Sequence, residues 1–247
     1  MPVPPTSNPV LAFEEYWHSR LEDATSLGYV PGRNLRIDSA ARMLLPGVRL
    51  LDVGCGAGML GLAVRGKFEQ LYGVDIAESA VAAACRQGVF ATRVDLSRDP
   101  LPFDSGAFDA VTLLAVLPYV YDPGRTLGEC HRVLRDGGQL VLSVANMRTI
   151  GKLFRLFVRG RFPTTSKLDS SAYDGGAMHY FCSRDLRELL RNAGFATTAR
   201  KGIFCRPRFL EGFPDAFPVL GNLKSEFFGG EVLLVARKCA APCLAHV

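Results

Sequence analysis

The chain has 247 residues, 48% hydrophobic and 21% charged, with a formal net charge of +5. These proportions are those of a soluble globular chain, and they exclude disorder, which needs low hydrophobicity and high net charge. The charge is also too small and too scattered for a nucleic-acid binder, which would carry a dense basic stripe.

No apolar run approaches the roughly 20 residues that span a bilayer. The opening MPVPPTSNPV lacks the basic start and apolar core of a secretory signal, so a cytoplasmic protein is expected. Seven cysteines (Cys55, Cys85, Cys130, Cys182, Cys205, Cys239 and Cys243) form no CxxC pair. No His/Cys cluster has zinc-ligand spacing, so reduced thiols and no metal site are expected.

Two helices, Pro9–Leu27 and Asn34–Leu45, open the chain. From there to Val144 short Val/Leu-rich runs alternate with helical stretches. The runs are Val48–Val53, Leu71–Val74, Val89–Val94, Phe108–Leu114 and Gln139–Val144, apolar on both faces as strands covered by helices should be. The helices are Met59–Gly66, Glu78–Gln87 and Pro123–Leu134. Asp122-Pro123-Gly124 opens the last of these and Asp136-Gly137-Gly138 closes it. This alternation predicts βαβ units and a parallel sheet. A basic helix, Met147–Gly160, follows, then a loop, a helix at Ser183–Asn192, and apolar runs at Phe195–Phe204 and Glu231–Ala236 that complete the sheet. The expected organisation is one domain: N-terminal helices (1–46), a core (47–146), an insertion (147–182) and a C-terminal helix with strands (183–247).

The sharpest local feature is Leu50-Leu51-Asp52-Val53-Gly54-Cys55-Gly56-Ala57-Gly58, which follows a strand and opens a helix. Glycine is needed where the backbone turns tightly and a Cβ would collide with a ligand. About 20 residues on, the second strand ends in Gly73-Val74-Asp75, where a carboxylate can accept hydrogen bonds from both hydroxyls of an adenosine ribose. Dinucleotide spacing, GxGxxG, would require glycine at Met59. A nicotinamide-dependent dehydrogenase is therefore only the third reading.

The loop resembles the DxGxGxG signature of class I S-adenosylmethionine-dependent methyltransferases. Pro100-Leu101-Pro102-Phe103 through Phe108-Asp109 resembles that family's LPF…FD segment, and Glu129–Gly138 resembles its ExxRvLkpGG helix end. The resemblance implies a Rossmann-like α/β fold with a mostly parallel seven-stranded sheet, and S-adenosylmethionine as cofactor. By the same resemblance Asp52, Gly54, Cys55, Gly56 and Gly58 seat the amino-acid end, with backbone N–H groups receiving its carboxylate. Asp75 and its neighbour Ile76 meet the ribose, Asp95 and Leu96 the adenine, and Leu114 the adenosine. Tyr16 or Arg20, on the first helix, covers the methionyl carboxylate.

The expected acceptor is a small, apolar or aromatic molecule, methylated at oxygen or nitrogen. Methyl transfer is an in-line displacement that needs a base only if the acceptor must lose a proton. His179, before the helix at Ser183, is the candidate base, against a role as a loop hydrogen-bonder. Tyr119 is the candidate acceptor contact. In ubiquinone-biosynthesis O-methyltransferases the segment after strand four reads E..EH and supplies metal ligands. Here Ala115, Pro118 and Tyr119 hold those positions, so no metal is expected.

Arg148, Lys152, Arg155 and Arg159 form one stripe of the Met147–Phe162 helix, with Ile150, Leu153, Phe154 and Phe157 on the other side. Such a helix roofs the site with its apolar face or lies on an anionic membrane surface. The stretch Val158–Thr165 also resembles MetW-like proteins, which implies the alternative of a cofactor-fold partner for an acyltransferase of methionine biosynthesis.

Overall fold

The computed structural model describes residues 9–21, 29–163, 177–205, 223 and 225–239. Helices α1 (Pro9–Leu21) and α2 (Leu35–Met43) precede the first strand. The body then runs β1 (Gly47–Val53), α3 (Met59–Ala63), β2 (Phe68–Asp75), α4 (Glu78–Arg86), β3 (Phe90–Arg93) and β4 (Phe108–Leu114). It continues with a 3-10 turn at Leu117–Tyr119, α5 (Pro123–Val133), β5 (Leu134–Ala145), α6 (Ile150–Arg159), α7 (Ser183–Asn192), β6 (Phe195–Cys205) and β7 (Gly229–Lys238).

The seven strands form one sheet in the order β3-β2-β1-β4-β5-β7-β6. Strands β1 to β5 are parallel, and β7 runs antiparallel between β5 and β6. Strand order reverses between β1 and β4, and in open α/β sheets the crevice at such a reversal, outside the carboxyl ends of the strands, is where ligands bind.

Alternation along the strands divides the core in two. Leu51, Val53, Leu113, Leu140 and Leu142 face the side carrying α5 and α7, with Leu127, Val133, Leu186 and Leu190. Leu50, Ala110, Val141 and Leu233 face α2 and α3, with Ile37, Ala40, Leu44 and Leu60. Both faces are thus covered, as parallel strands require. The α2 face also carries the polar residues that concern the site: Asp52 lies beside Thr112 in the sheet register, and Glu231 beside Ala145.

Several element ends shift by a few residues, as at α3, which stops at Ala63, and β2, which starts at Phe68, and one boundary differs in kind. Asp136-Gly137-Gly138 does not close α5, which ends at Val133 and passes directly into β5. Phe108 pairs with Leu134 but Ala110 with Gln139, so the glycines form a bulge in the strand. Gly137 has φ +68°, and a Cβ on Gly138 would stand 2.7 Å from the Arg135 carbonyl oxygen. The extra residues are spent in turning the strand. No helix among the described residues is long and apolar enough to cross a membrane.

Candidate functional site

At the end of β1 the chain folds back over β2: the N–H groups of Gly54 and Cys55 both donate to the Val74 carbonyl, at 2.7 and 3.0 Å. Gly58 N–H donates to the Cys55 carbonyl at 3.0 Å and completes the turn. Gly54, Gly56 and Gly58 all have left-handed φ, at +74°, +51° and +80°. A Cβ on Gly54 would collide with the Val116 side chain, and one on Gly56 with the indole of Trp17. Backbone conformation and close approach therefore both demand glycine here.

Asp75, the last residue of β2, locks the loop. Its Oδ2 accepts from Gly56 N–H at 2.9 Å and its Oδ1 from Ala77 N–H at 3.1 Å. Burial raises its pKa, against the backbone amides that favour the charge. Asp52 is buried beside it and accepts from the Thr112 hydroxyl at 2.6 Å. Burial, with only partial relief from that hydrogen bond and a further push from the Asp75 charge, lifts Asp52 to about 7. Cys55 is buried against Gly73, and burial raises its thiol well above the ordinary value, which disfavours the reactive thiolate.

Asp95 stands just beyond β3, its Oδ1 accepting from Ser97 N–H at 3.0 Å and its Oδ2 3.5 Å from Arg98. Ile76 and Leu96 are half-buried beside the two carboxylates, and Leu114 ends β4. The next residue, Ala115, is held at φ +60°, a conformation that costs a non-glycine residue about 1 kcal/mol or more. Such strain gathers at functional sites.

The segment after β4 and the stretch before α7 come together. Met178 and His179 N–H groups donate to the Pro118 carbonyl at 2.8 and 3.2 Å. The His179 ring places Nε2 3.1 Å from the Tyr121 carbonyl and tilts over Phe181. That carbonyl can only accept, so the neutral ring carries its proton on Nε2 and keeps the Nδ1 lone pair. The loop hydrogen bond and an available basic nitrogen thus coexist. Tyr119 meets Phe13 of α1 edge to face, with ring centroids 5.7 Å apart.

Three residues near the loop, Glu14, Trp17 and Arg36, carry no motif and have no cofactor role in the sequence reading, whereas Tyr16 and Arg20 are the two expected to cover the methionyl carboxylate. Glu14 of α1 accepts from Glu78 and Ser79 N–H at 2.8 and 3.0 Å. It caps α4, whose N-cap residue Ala77 has no side-chain acceptor. Trp17, held by that clamp, lays its indole on Gly56. Tyr16 and Arg20 are exposed and pack on each other, Arg20 lying 5.2 Å from the Tyr16 ring. Arg36 of α2 donates from Nε and Nη2 to the buried Glu231 carboxylate at 2.6 and 2.8 Å. Burial works against its charge, but Glu231, with help from Tyr119 and Tyr16, more than offsets this.

Four of the loop amides are not free to form the anion cradle expected of them. Those of Gly54, Cys55, Gly56 and Gly58 already donate within the protein. Arg36, engaged through two of its nitrogens, is a half-buried cation beside the buried Glu231.

Comparison with known proteins agrees with this geometry. A family model described as a methyltransferase domain matches residues 51–142. A ubiquinone biosynthesis O-methyltransferase of Xanthomonas oryzae pv. oryzae is 37% identical over 112 residues, covering 43% of this chain and 47% of that one. The chain thus spans about half the length of such curated relatives. The ubiquinone biosynthesis O-methyltransferase of Psychrobacter arcticus is 30% identical over 177 residues, 63% of this chain and 68% of its own. The crystal structure of a SAM-dependent methyltransferase from Thermotoga maritima, described as a possible histamine N-methyltransferase, is similar in fold. It superposes with a TM-score of 0.62 at 22% identity, over 93% of this chain and 98% of its own. With the glycine loop, the two carboxylates and the seven-stranded sheet in place, the chain belongs to the class I S-adenosylmethionine-dependent methyltransferases.

Proposed function

We propose that this chain transfers the methyl group of S-adenosylmethionine to an oxygen of a small, apolar or aromatic acceptor. The observation that carries this reading is the loop Gly54–Gly58, turned by three left-handed glycines and closed by Asp75. The family's cofactor supplies a methyl group activated on a sulfonium, and the residues present suit it. Asp75 uses one lone pair of each oxygen on Gly56 and Ala77, and an ionised carboxylate has further acceptor sites for ribose hydroxyls. Asp95 offers an acceptor for the adenine amino group. Asp52 is a buried carboxylate for the ammonium, and Arg36 a half-buried guanidinium for the carboxylate. Trp17 on the loop excludes water from the same side.

On the acceptor side, Tyr119 and His179 flank one segment. A phenolic acceptor must lose its proton, and the His179 Nδ1 lone pair is the group suited to take it. The O-methyltransferase relatives favour oxygen as the methylated atom.

Incubation with S-adenosylmethionine labelled in the methyl group and cell extract, set against Asp75→Ala, tests this reading. Label is expected in the organic-soluble fraction with the native chain and not with the variant. Equal, background incorporation by both would overturn it and leave the acyltransferase-partner alternative.

A further inference from the structure

We propose that α6 docks this protein on an anionic lipid bilayer. Ile150, Leu153, Phe154 and Phe157 follow at i, i+3, i+4 and i+7, the spacing of one helix face. Among the described residues nothing buries that face: no residue of α6 is buried, and Ile150, Phe154 and Phe157 are 49%, 52% and 80% exposed. With Phe227 they line an open groove of about 460 Å³ that contains no polar surface. The expectation that this face roofs the site is therefore not met by the described residues. Val158 and Phe162, also largely exposed, extend the patch.

Charge decides what such a face fits. From Met147 to Pro163 the sequence has five basic residues, Arg148, Lys152, Arg155, Arg159 and Arg161, and no acidic one. Arg148 is held by Glu226 and the Phe227 ring, and the Lys152 ammonium donates to the Asn146 carbonyl. Arg159 and Arg161 are exposed at the far end of the helix. A second copy of this chain would set these like charges against each other, whereas lipid phosphates complement them while the aromatic side chains enter the acyl boundary.

The helix is also firmly presented. Asn146, fully buried, donates from Nδ2 to the carbonyls of Ser225, Glu226 and Gly229, and its Oδ1 accepts from Arg148 N–H at 2.9 Å. Because α6 leaves the carboxyl end of β5, it lies at the end of the sheet that carries the glycine loop. Docking would bring that end of the molecule to the lipid surface, where apolar acceptors concentrate.

Sedimentation of the full chain with phosphatidylcholine vesicles, with and without phosphatidylglycerol, tests this without any methyl-transfer step, so its failure is separable from failure of the proposed activity. The expected result is partitioning onto the anionic vesicles only, weakened by salt. Arg159→Gln and Arg161→Gln should each lower it roughly five-fold, the equivalent of about 1 kcal/mol per basic residue near the surface. Phe154→Ser with Phe157→Ser should abolish it with the melting temperature unchanged, since both side chains are exposed. Three results would overturn the proposal: partitioning onto neither vesicle, equal partitioning onto both, or full binding by the double phenylalanine variant. A dimer in light scattering that Phe157→Ser dissociates, without vesicle binding, would assign the face to a second copy.

Discussion

Asp52 sits at about 7 because burial penalises its charge, although an exposed aspartate ionises near 3.8. The folded chain therefore holds a proton there that the unfolded chain has released between those two values. The contribution to stability is fully present below the unfolded pKa and is lost as pH rises through about 7. Thermal melts of the free protein should show this increment growing from neutral pH toward pH 4, and Asp52→Asn should remove it. Cofactor binding should run the other way, since an ammonium is held by the ionised form: affinity measured by calorimetry should fall as pH drops below neutrality. An affinity that rises under the same conditions would exclude the assigned role. Gly56 gives a second test at this scale. Its φ of +51° and the Trp17 ring above it leave no room for a methyl group. Gly56→Ala should cost roughly 1–2 kcal/mol from the backbone alone and lose cofactor binding, read by melting temperature and calorimetry.

At the scale of elements, the site is held by contacts far apart in sequence. Glu14 joins α1 to the N-terminus of α4, across 64 residues or more. Removing that cap with Glu14→Ala should cost about 1 kcal/mol and release Trp17 from the loop, so affinity should drop by more than the stability change alone implies. Unchanged affinity would mean that α1 is a passenger. The Arg36–Glu231 pair ties α2 to β7 across 195 residues. The carboxylate is buried but the guanidinium is about a third exposed, so breaking the pair from one side costs about 2 kcal/mol, less than for a fully buried pair. Glu231→Gln should therefore lower the melting temperature and also weaken cofactor affinity, because it frees the guanidinium to turn. The double variant Arg36→Met/Glu231→Leu should recover stability without recovering affinity.

For the whole molecule, the parts fixed by local pattern were legible in the sequence and the parts fixed by tertiary contact were not. Two-sided apolar runs marked the inner parallel strands β1, β4 and β5, which are covered on both faces, whereas the edge strand β3 is mostly exposed and β6 and β7 are antiparallel. The glycine loop was legible because its φ values admit almost no other residue. Nothing local distinguishes Trp17 from any helix-docking aromatic, or Arg36 from any surface arginine, until the sheet brings Glu231 within 2.6 Å. The same applies to Asp136-Gly137-Gly138, whose composition suits a helix stop and a strand bulge equally. Trp17 is the chain's single tryptophan and lies on the loop, so its emission reports that site alone. Titration of the native chain and Asp75→Ala with S-adenosylhomocysteine, followed by tryptophan fluorescence, is the most direct trial of the central assignment. A saturable change with the native chain, abolished in the variant and not produced by nicotinamide dinucleotides, is the predicted result. Emission that stays constant up to millimolar S-adenosylhomocysteine, or an identical curve for Asp75→Ala, would contradict it.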